Sequence, residues 1–188
     1  MRIGITGGIG TGKSYVCRLL SKHGIEVYDC DSAAKRLMNC SAVLRQKISA
    51  LIGTDAYCPD GKLNKAVVAR FLLESSDNTA ALNAIVHPAV VDDFMNSGVD
   101  WLESAILFEA GIDGMMDYVV CVTAPEEVRI ARIVSRDGIT KEKARQWIGL
   151  QWPQEEIVRL SDFEIVNDGH ASLSPQIDTL LQSLRTNV

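Results

Sequence analysis

The chain has 188 residues and a formal charge of -5, from 19 Lys and Arg against 24 Asp and Glu. With 47% hydrophobic and 23% charged residues, it has the composition of a globular domain. That excludes a disordered tail, a collagen-like fibre and a disulfide-stapled miniprotein.

The mild acidity argues against a dedicated nucleic-acid partner, although a local basic pocket for phosphates remains compatible with it. The five cysteines are odd in number and form no Cys-x-x-Cys pair, so reduced packing thiols are expected. No secretory leader pattern and no apolar stretch near the ~20 residues of a membrane helix is visible. A soluble, cytoplasmic chain with no membrane partner is the expectation.

Residues 2–6 read as a short apolar strand running into Gly7-Gly8-Ile9-Gly10-Thr11-Gly12. A helix is predicted over 13–22, with Val16, Leu19 and Leu20 at helical spacing and Gly24 to end it. A second strand over 25–28 closes on Asp29-Cys30-Asp31. Strand, glycine loop, helix, strand is the opening of an α/β domain with a parallel sheet. From Asp31 to about Asn96 the pattern is helical, with helices expected over 32–39, 41–52, 64–73 and 78–96, the last bent near Pro88. Strands resume over 101–108 and 118–123. Pro125, Glu126 and Glu127 open a helix that runs to about Ser135. Thr140 caps the next, and a short helix follows Pro153. A last strand spans 163–166, and the tail over 174–184 is an amphipathic helix.

Gly7 to Ser14 fits G-x-x-x-x-G-K-[ST] in full. Glycines allow successive N–H groups to turn toward phosphate oxygens, and the helix starting at Lys13 adds the positive end of its dipole. Lys13 is expected to reach the β- and γ-phosphates, and the Ser14 hydroxyl to ligate Mg²⁺. The loop implies a nucleoside triphosphate. It is expected to be held by Ile9, Gly10, Thr11, Gly12, Lys13, Ser14 and the backbone of Tyr15.

No Asp-x-x-Gly occurs, and Asn64-Lys65 lacks the Asp of a guanine reader, which disfavours a GTPase. A motor ATPase would want a longer chain. A small P-loop kinase remains. Asp31, at the end of the second strand, stands where open α/β sheets bind ligands. Its carboxylate can orient an attacking hydroxyl or simply cap the next helix. Asp29 is either support for it or a solvated turn residue. Arg129, Arg132 and Arg136 share a helical face, either as closing guanidiniums or as a solvated surface. Arg136 borders Asp137-Gly138 and is the stronger candidate for closure. Glu103 could hold a magnesium-bound water or be structural. His87 is equally a satisfied buried group or a ligand contact.

With these residues in view, the chain resembles the dephospho-coenzyme A kinase family, over nearly its whole length. Thr6 to Ser14 is similar to that family's Thr-Gly-Gly-Ile-Gly-Ser-Gly-Lys-Ser. Asp29-Cys30-Asp31 is similar to its Asp-Ala-Asp, Leu82 to Pro88 to its Leu-Asn-x-Ile-x-His-Pro, and Ile106 to Glu109 to its Leu-Leu-Phe-Glu. Gln151 and Asn167-Asp168-Gly169 sit where the family has a Gln and an Asn-x-Gly.

The resemblance implies transfer from ATP to the ribose 3′-hydroxyl of dephospho-CoA, the last step of coenzyme A biosynthesis. Asp31 would act as base, Arg136 as lid arginine, and Asn167 would lie near adenine. His87, Phe108, Glu109 and Arg132 would serve the acceptor. Tyr15 for Thr, Glu103 for Asp, Ala105 for Pro and Lys65 for Arg depart from the family pattern.

The implied architecture is a P-loop fold with a five-stranded parallel sheet flanked by helices. Its nucleotide core would cover 1–31, 98–123 and 155–188, with a helical acceptor-binding insertion over 32–97 and a lid over 124–154. No obligatory protein partner is evident. A nucleoside or nucleotide kinase, and an ATP-binding regulatory switch without turnover, are the alternatives.

Overall fold

A computed structural model describes residues 1–186. The last two positions of the C-terminal core segment, 187 and 188, lie outside the described residues. The chain forms two compact units, residues 1–28 with 99–188, and residues 29–98.

In the first unit, β1 (Ile3–Thr6) is buried at all four positions, as a strand inside a parallel sheet must be. The glycine loop carries it into α1 (Lys13–Ser21), whose Val16 and Leu20 are buried. β2 (Val27–Asp29) follows and runs directly into α2 (Cys30–Cys40).

The second unit continues with α3 (Ala42–Ile52), α4 (Lys65–Glu74) and α5 (Ser76–Ser97). Asp29, Ser41, Asn64 and Ser75 cap these four helices, each side chain accepting a backbone N–H from the first turn. Such a cap contributes about 1 kcal/mol. Leu82, Val86, Val90 and Phe94 recur every four residues along α5 and form its buried stripe. That stripe lets α5 pack on α2, α3 and α4.

The chain returns to the first unit through β3 (Trp101–Glu103), β4 (Tyr118–Thr123), α6 (Glu126–Asp137), α7 (Lys141–Gly149), α8 (Gln154–Leu160), β5 (Phe163–Val166) and α9 (Leu173–Thr186). The five strands form one parallel sheet in the order β2-β3-β1-β4-β5. β1 is central, with Ile5 opposite Glu103 on one side and Val120 on the other. Ile3, Ile5, Val120, Val122 and Ile165 form the core with Val16 and Leu20 of α1 and Leu173, Ile177, Leu180 and Leu184 of α9. No helix among the described residues is long and apolar enough to cross a membrane.

Two expectations need correction. The strand predicted over 101–108 stops at Glu103. The Ser104 N–H still donates to Ile5 at 3.0 Å, but the Ser104 hydroxyl then accepts from Ile106 N–H at 3.3 Å and turns the chain. The apolar run continues because Leu107 is wholly buried, against the bare face of Gly4. An apolar run alone does not separate a strand from a buried turn.

The helix expected over 32–39 begins at Cys30, and its cap is Asp29, not Asp31. As expected, α5 runs through Pro88 as one helix.

Burial holds the half-buried His87 imidazole of α5 below its ordinary value of 6.5. Below that pH the unfolded chain takes up this proton more readily than the folded one. The stability concerned is complete above about pH 6.5 and declines as pH falls through that value toward the folded one. Urea unfolding at pH 7 and pH 5 should show a larger loss of midpoint for the native protein than for His87→Gln. Equal losses would refute the assignment.

Candidate active site

The glycine loop joins the carboxyl end of the central strand to the start of α1. Gly7, Gly10 and Gly12 have φ of 138°, 82° and 92°, a region that L side chains rarely enter. Gly12 precedes α1 with no side-chain cap, so the helix presents its first turn to whatever anion the loop holds.

Lys13 is 8% exposed. Its Nζ donates to the Gly7 carbonyl at 2.8 Å and lies 3.8 Å from Glu103 Oε1. Ser14 and Tyr15 are exposed at the start of α1. The loop also braces itself, since the Thr11 hydroxyl donates to the Gly8 carbonyl at 2.9 Å.

The loop is held from behind. Arg129 of α6 donates from Nε to the Ile9 carbonyl at 2.9 Å. Arg132 donates from Nη1 to the carbonyls of Gly10 at 3.3 Å and Thr11 at 3.1 Å, and from Nη2 to Asn167 Oδ1 at 3.2 Å. Asn167 Nδ2 donates to the Thr11 carbonyl at 2.7 Å. Gln151 Oε1 accepts the Ile9 N–H at 2.6 Å.

The glycines make room for these partners. A Cβ at Gly8 would meet the Arg129 guanidinium and Gln151, one at Gly10 the Arg129 backbone, and one at Gly12 the Asn167 amide. Arg129 is only 5% exposed. Burial lowers its pKa, and the charges of Glu126 and Glu155 oppose that shift. Cys121, on β4, has its thiol pushed up to about 12 by burial and by Glu164, against the opposing charges of Lys13 and Arg129. It stays a neutral packing group.

The structure therefore gathers Ile9, Gly10, Thr11, Gly12, Lys13, Glu103, Arg132 and Asn167 about one loop. Phe108 stacks on Trp152, with ring centroids 6.4 Å apart and planes 5° from parallel. Glu109 Oε1 accepts the Trp152 backbone N–H at 3.4 Å. Arg136 lies exposed at the end of α6 and pairs with Asp137 at 2.8 Å, a contact that raises its pKa against the opposing effect of burial.

Asp31 and His87 belong to the second unit. Asp29 accepts from the backbone and hydroxyl of Ser32 at 3.0 and 2.7 Å. The exposed Asp31 carboxylate makes no hydrogen bond or ion pair among the described residues. Two contributors take a role the sequence reading did not give them: Arg129, weighed there as a closing guanidinium or a solvated residue, and Gln151, noted there only as a family position. The available signal for Arg129 was its place four residues before the buried Ile133, at the edge of the apolar stripe of α6.

The sequence pattern of the dephospho-CoA kinase (CoaE) family matches residues 1–172. A dephospho-CoA kinase from Bacteroides fragilis is 40% identical over 98% of this chain and 93% of its own. One from Chlorobaculum tepidum is 38% identical over 99% and 96%. The crystal structure of TT1252 from Thermus thermophilus superposes with a TM-score of 0.82 at 28% identity, covering 100% of this chain and 97% of that one. Dephospho-CoA kinase from Campylobacter jejuni gives 0.71 at 18% identity over 100% and 98%. A shikimate kinase from Acinetobacter baumannii gives 0.58 at 17% identity over 99% and 93%, and these last two likenesses speak for the fold.

Gly8 has an ordinary φ, so Gly8→Ala tests the packing behind the loop without backbone strain. The added methyl should displace Arg129 and Gln151 and lower stability by about 1–3 kcal/mol, read as a lower urea midpoint. An unchanged midpoint would show that the two side chains shift at no cost.

Proposed function

The chain belongs to the dephospho-CoA kinase family, and on that footing we propose that it transfers the γ-phosphoryl group of ATP to the ribose 3′-hydroxyl of dephospho-CoA. The products are CoA and ADP, and the reaction is the last step of coenzyme A biosynthesis. The observation that carries the donor half is the glycine loop, with Lys13 inside it and Glu103 beside it. The acceptor half rests on the family match over residues 1–172.

The acceptor oxygen attacks the γ-phosphorus, and the bond to the β,γ-bridging oxygen breaks. The hydroxyl proton passes to the Asp31 carboxylate. Phosphoryl transfer has a loose transition state, so orientation and charge neutralisation outweigh early deprotonation. Asp31 suits this role because Asp29 has taken the helix cap, leaving the Asp31 carboxylate exposed.

Lys13 would exchange the Gly7 carbonyl for phosphate oxygens. We assign Arg136 to closure over the phosphates, and His87, Phe108 and Glu109 to the acceptor. The contacts of Arg132 favour a role behind the loop over the acceptor-side role expected from sequence.

The donor set suits Mg²⁺. Among the described residues no group of three His, Cys, Asp or Glu side chains gathers as a metal cage. An ion that keeps its waters and binds substrate phosphates needs only one or two protein oxygens. The Ser14 hydroxyl would be the ligand, with Glu103 holding a bound water. When bound, Mg²⁺ neutralises phosphate charge. No disulfide joins the cysteines, which supports a reducing, cytoplasmic setting.

ADP release with candidate acceptors, followed by the mass of the acceptor, tests the reading. Dephospho-CoA should gain one phosphate. Phosphorylation of nucleosides alone, or nucleotide binding with no acceptor-dependent turnover, would overturn it. Asp31→Asn should keep ATP affinity within about twofold and lose roughly 10²–10⁴ in kcat. Unchanged turnover would remove Asp31 as the base.

A further inference from the structure

In a planar trans peptide the C=O points opposite to the N–H of the next residue, and the described chain holds no cis peptide. The donors behind the loop therefore decide what faces its front. Arg129 pulls the Ile9 carbonyl toward α6, which turns the Gly10 N–H away from it. Arg132 and Asn167 hold the Thr11 carbonyl and so turn the Gly12 N–H the same way. Gln151 does the reverse, drawing the Ile9 N–H toward itself.

Arg129 also has more charge than this task needs. A neutral amide could hold one carbonyl at far lower desolvation cost. Yet the guanidinium is buried, and among the described residues no carboxylate lies within ion-pair distance of it. Glu126 and Glu155 act on it only at range. A buried cation without a counter-ion, packed against Gly8 of a phosphate loop, is matched by an anion held on the front of that loop.

We propose that Arg129 and Gln151 are positioning residues for phosphoryl transfer. Together they fix the two peptides that flank Ile9, so that the Gly10 N–H faces the nucleotide phosphates and the Ile9 N–H does not, while the Arg129 charge acts on those phosphates through the loop. The ligand class is a nucleoside di- or triphosphate. The kinetic part rests on the reading of the protein as an ATP-dependent kinase. The binding part does not.

The experiment compares Arg129→Met, Arg129→Lys and Gln151→Met in the full chain, by calorimetric titration with ADP and by steady-state kinetics with ATP and dephospho-CoA. Arg129→Met should lose roughly 10- to 100-fold in kcat and about tenfold or more in ADP affinity. Arg129→Lys, which keeps a charge and a donor, should recover most of both. Gln151→Met should lose about tenfold in kcat, with KM for dephospho-CoA within about twofold of the native value.

A folded Arg129→Met with native kcat and ADP affinity overturns the proposal. So does a Lys variant as impaired as the Met variant, which would mark a purely structural residue. Should Arg129→Met fail to fold, native kcat in Gln151→Met, or the absence of recovery in Arg129→Lys, overturns it equally. If the native protein does not act on dephospho-CoA, the functional reading fails while the ADP titrations still decide this one.

Discussion

A peptide cannot present its N–H to an anion without sending the preceding carbonyl the other way. That constraint organises the sheet-containing unit. Every carbonyl expelled from the front of the glycine loop needs a donor behind it, because a buried unpaired carbonyl costs about as much as a lost hydrogen bond. The donors come from elements distant in sequence. Arg129 and Arg132 stand on α6, more than 115 residues beyond the loop carbonyls they hold. Asn167 is placed by the β4–β5 ladder, which its own N–H extends by donating to Thr123 at 2.8 Å. In this sense the strand order serves the loop. β1 and β4 are neighbours, and whatever follows β4 and β5 is delivered beside Gly7 to Ser14.

This also revises why the loop is rich in glycine. Freedom of φ explains Gly7, Gly10 and Gly12, as expected from sequence. Gly8 needs no such freedom, and its bareness makes space for the Arg129 guanidinium and the Gln151 amide. A motif usually read from its phosphate face is constrained as strongly from its back.

What could be read in the chain followed local rules. The glycine loop, the strands over 118–123 and 163–166 and most helices depend on short-range periodicity and turn chemistry, and they stand where that chemistry put them. The end of β3 was not legible, because Ile106, Leu107 and Phe108 are apolar in a strand and equally apolar in a buried turn. The Asp29-Cys30-Asp31 segment was legible as a pair of carboxylates but not in its division of labour. Only the φ/ψ of Asp29 and its two bonds to Ser32 make it the cap. Arg129 was ambiguous for a physical reason. An arginine at the edge of an apolar stripe looks the same whether it snorkels to water or meets a carbonyl 120 residues away.

Under the proposed function, the three arginines of α6 then separate by how each would bring charge to a phosphate. Arg129 and Arg132 are hydrogen-bonded to the loop in the folded chain, so under the proposed function their cost of desolvation is met on folding and little reorganisation is left for the reaction. That is the condition under which fixed charge lowers a barrier most. Arg136, exposed and paired with Asp137, must leave one partner to reach another, which suits a group that closes after substrate arrives. The overall charge of -5 bears on neither. Under the proposed function a phosphate meets the loop N–H groups and Lys13, with the two guanidiniums behind them on one face of α6. A chain can be acidic on average and still hold its cations where a single peptide orientation makes them count.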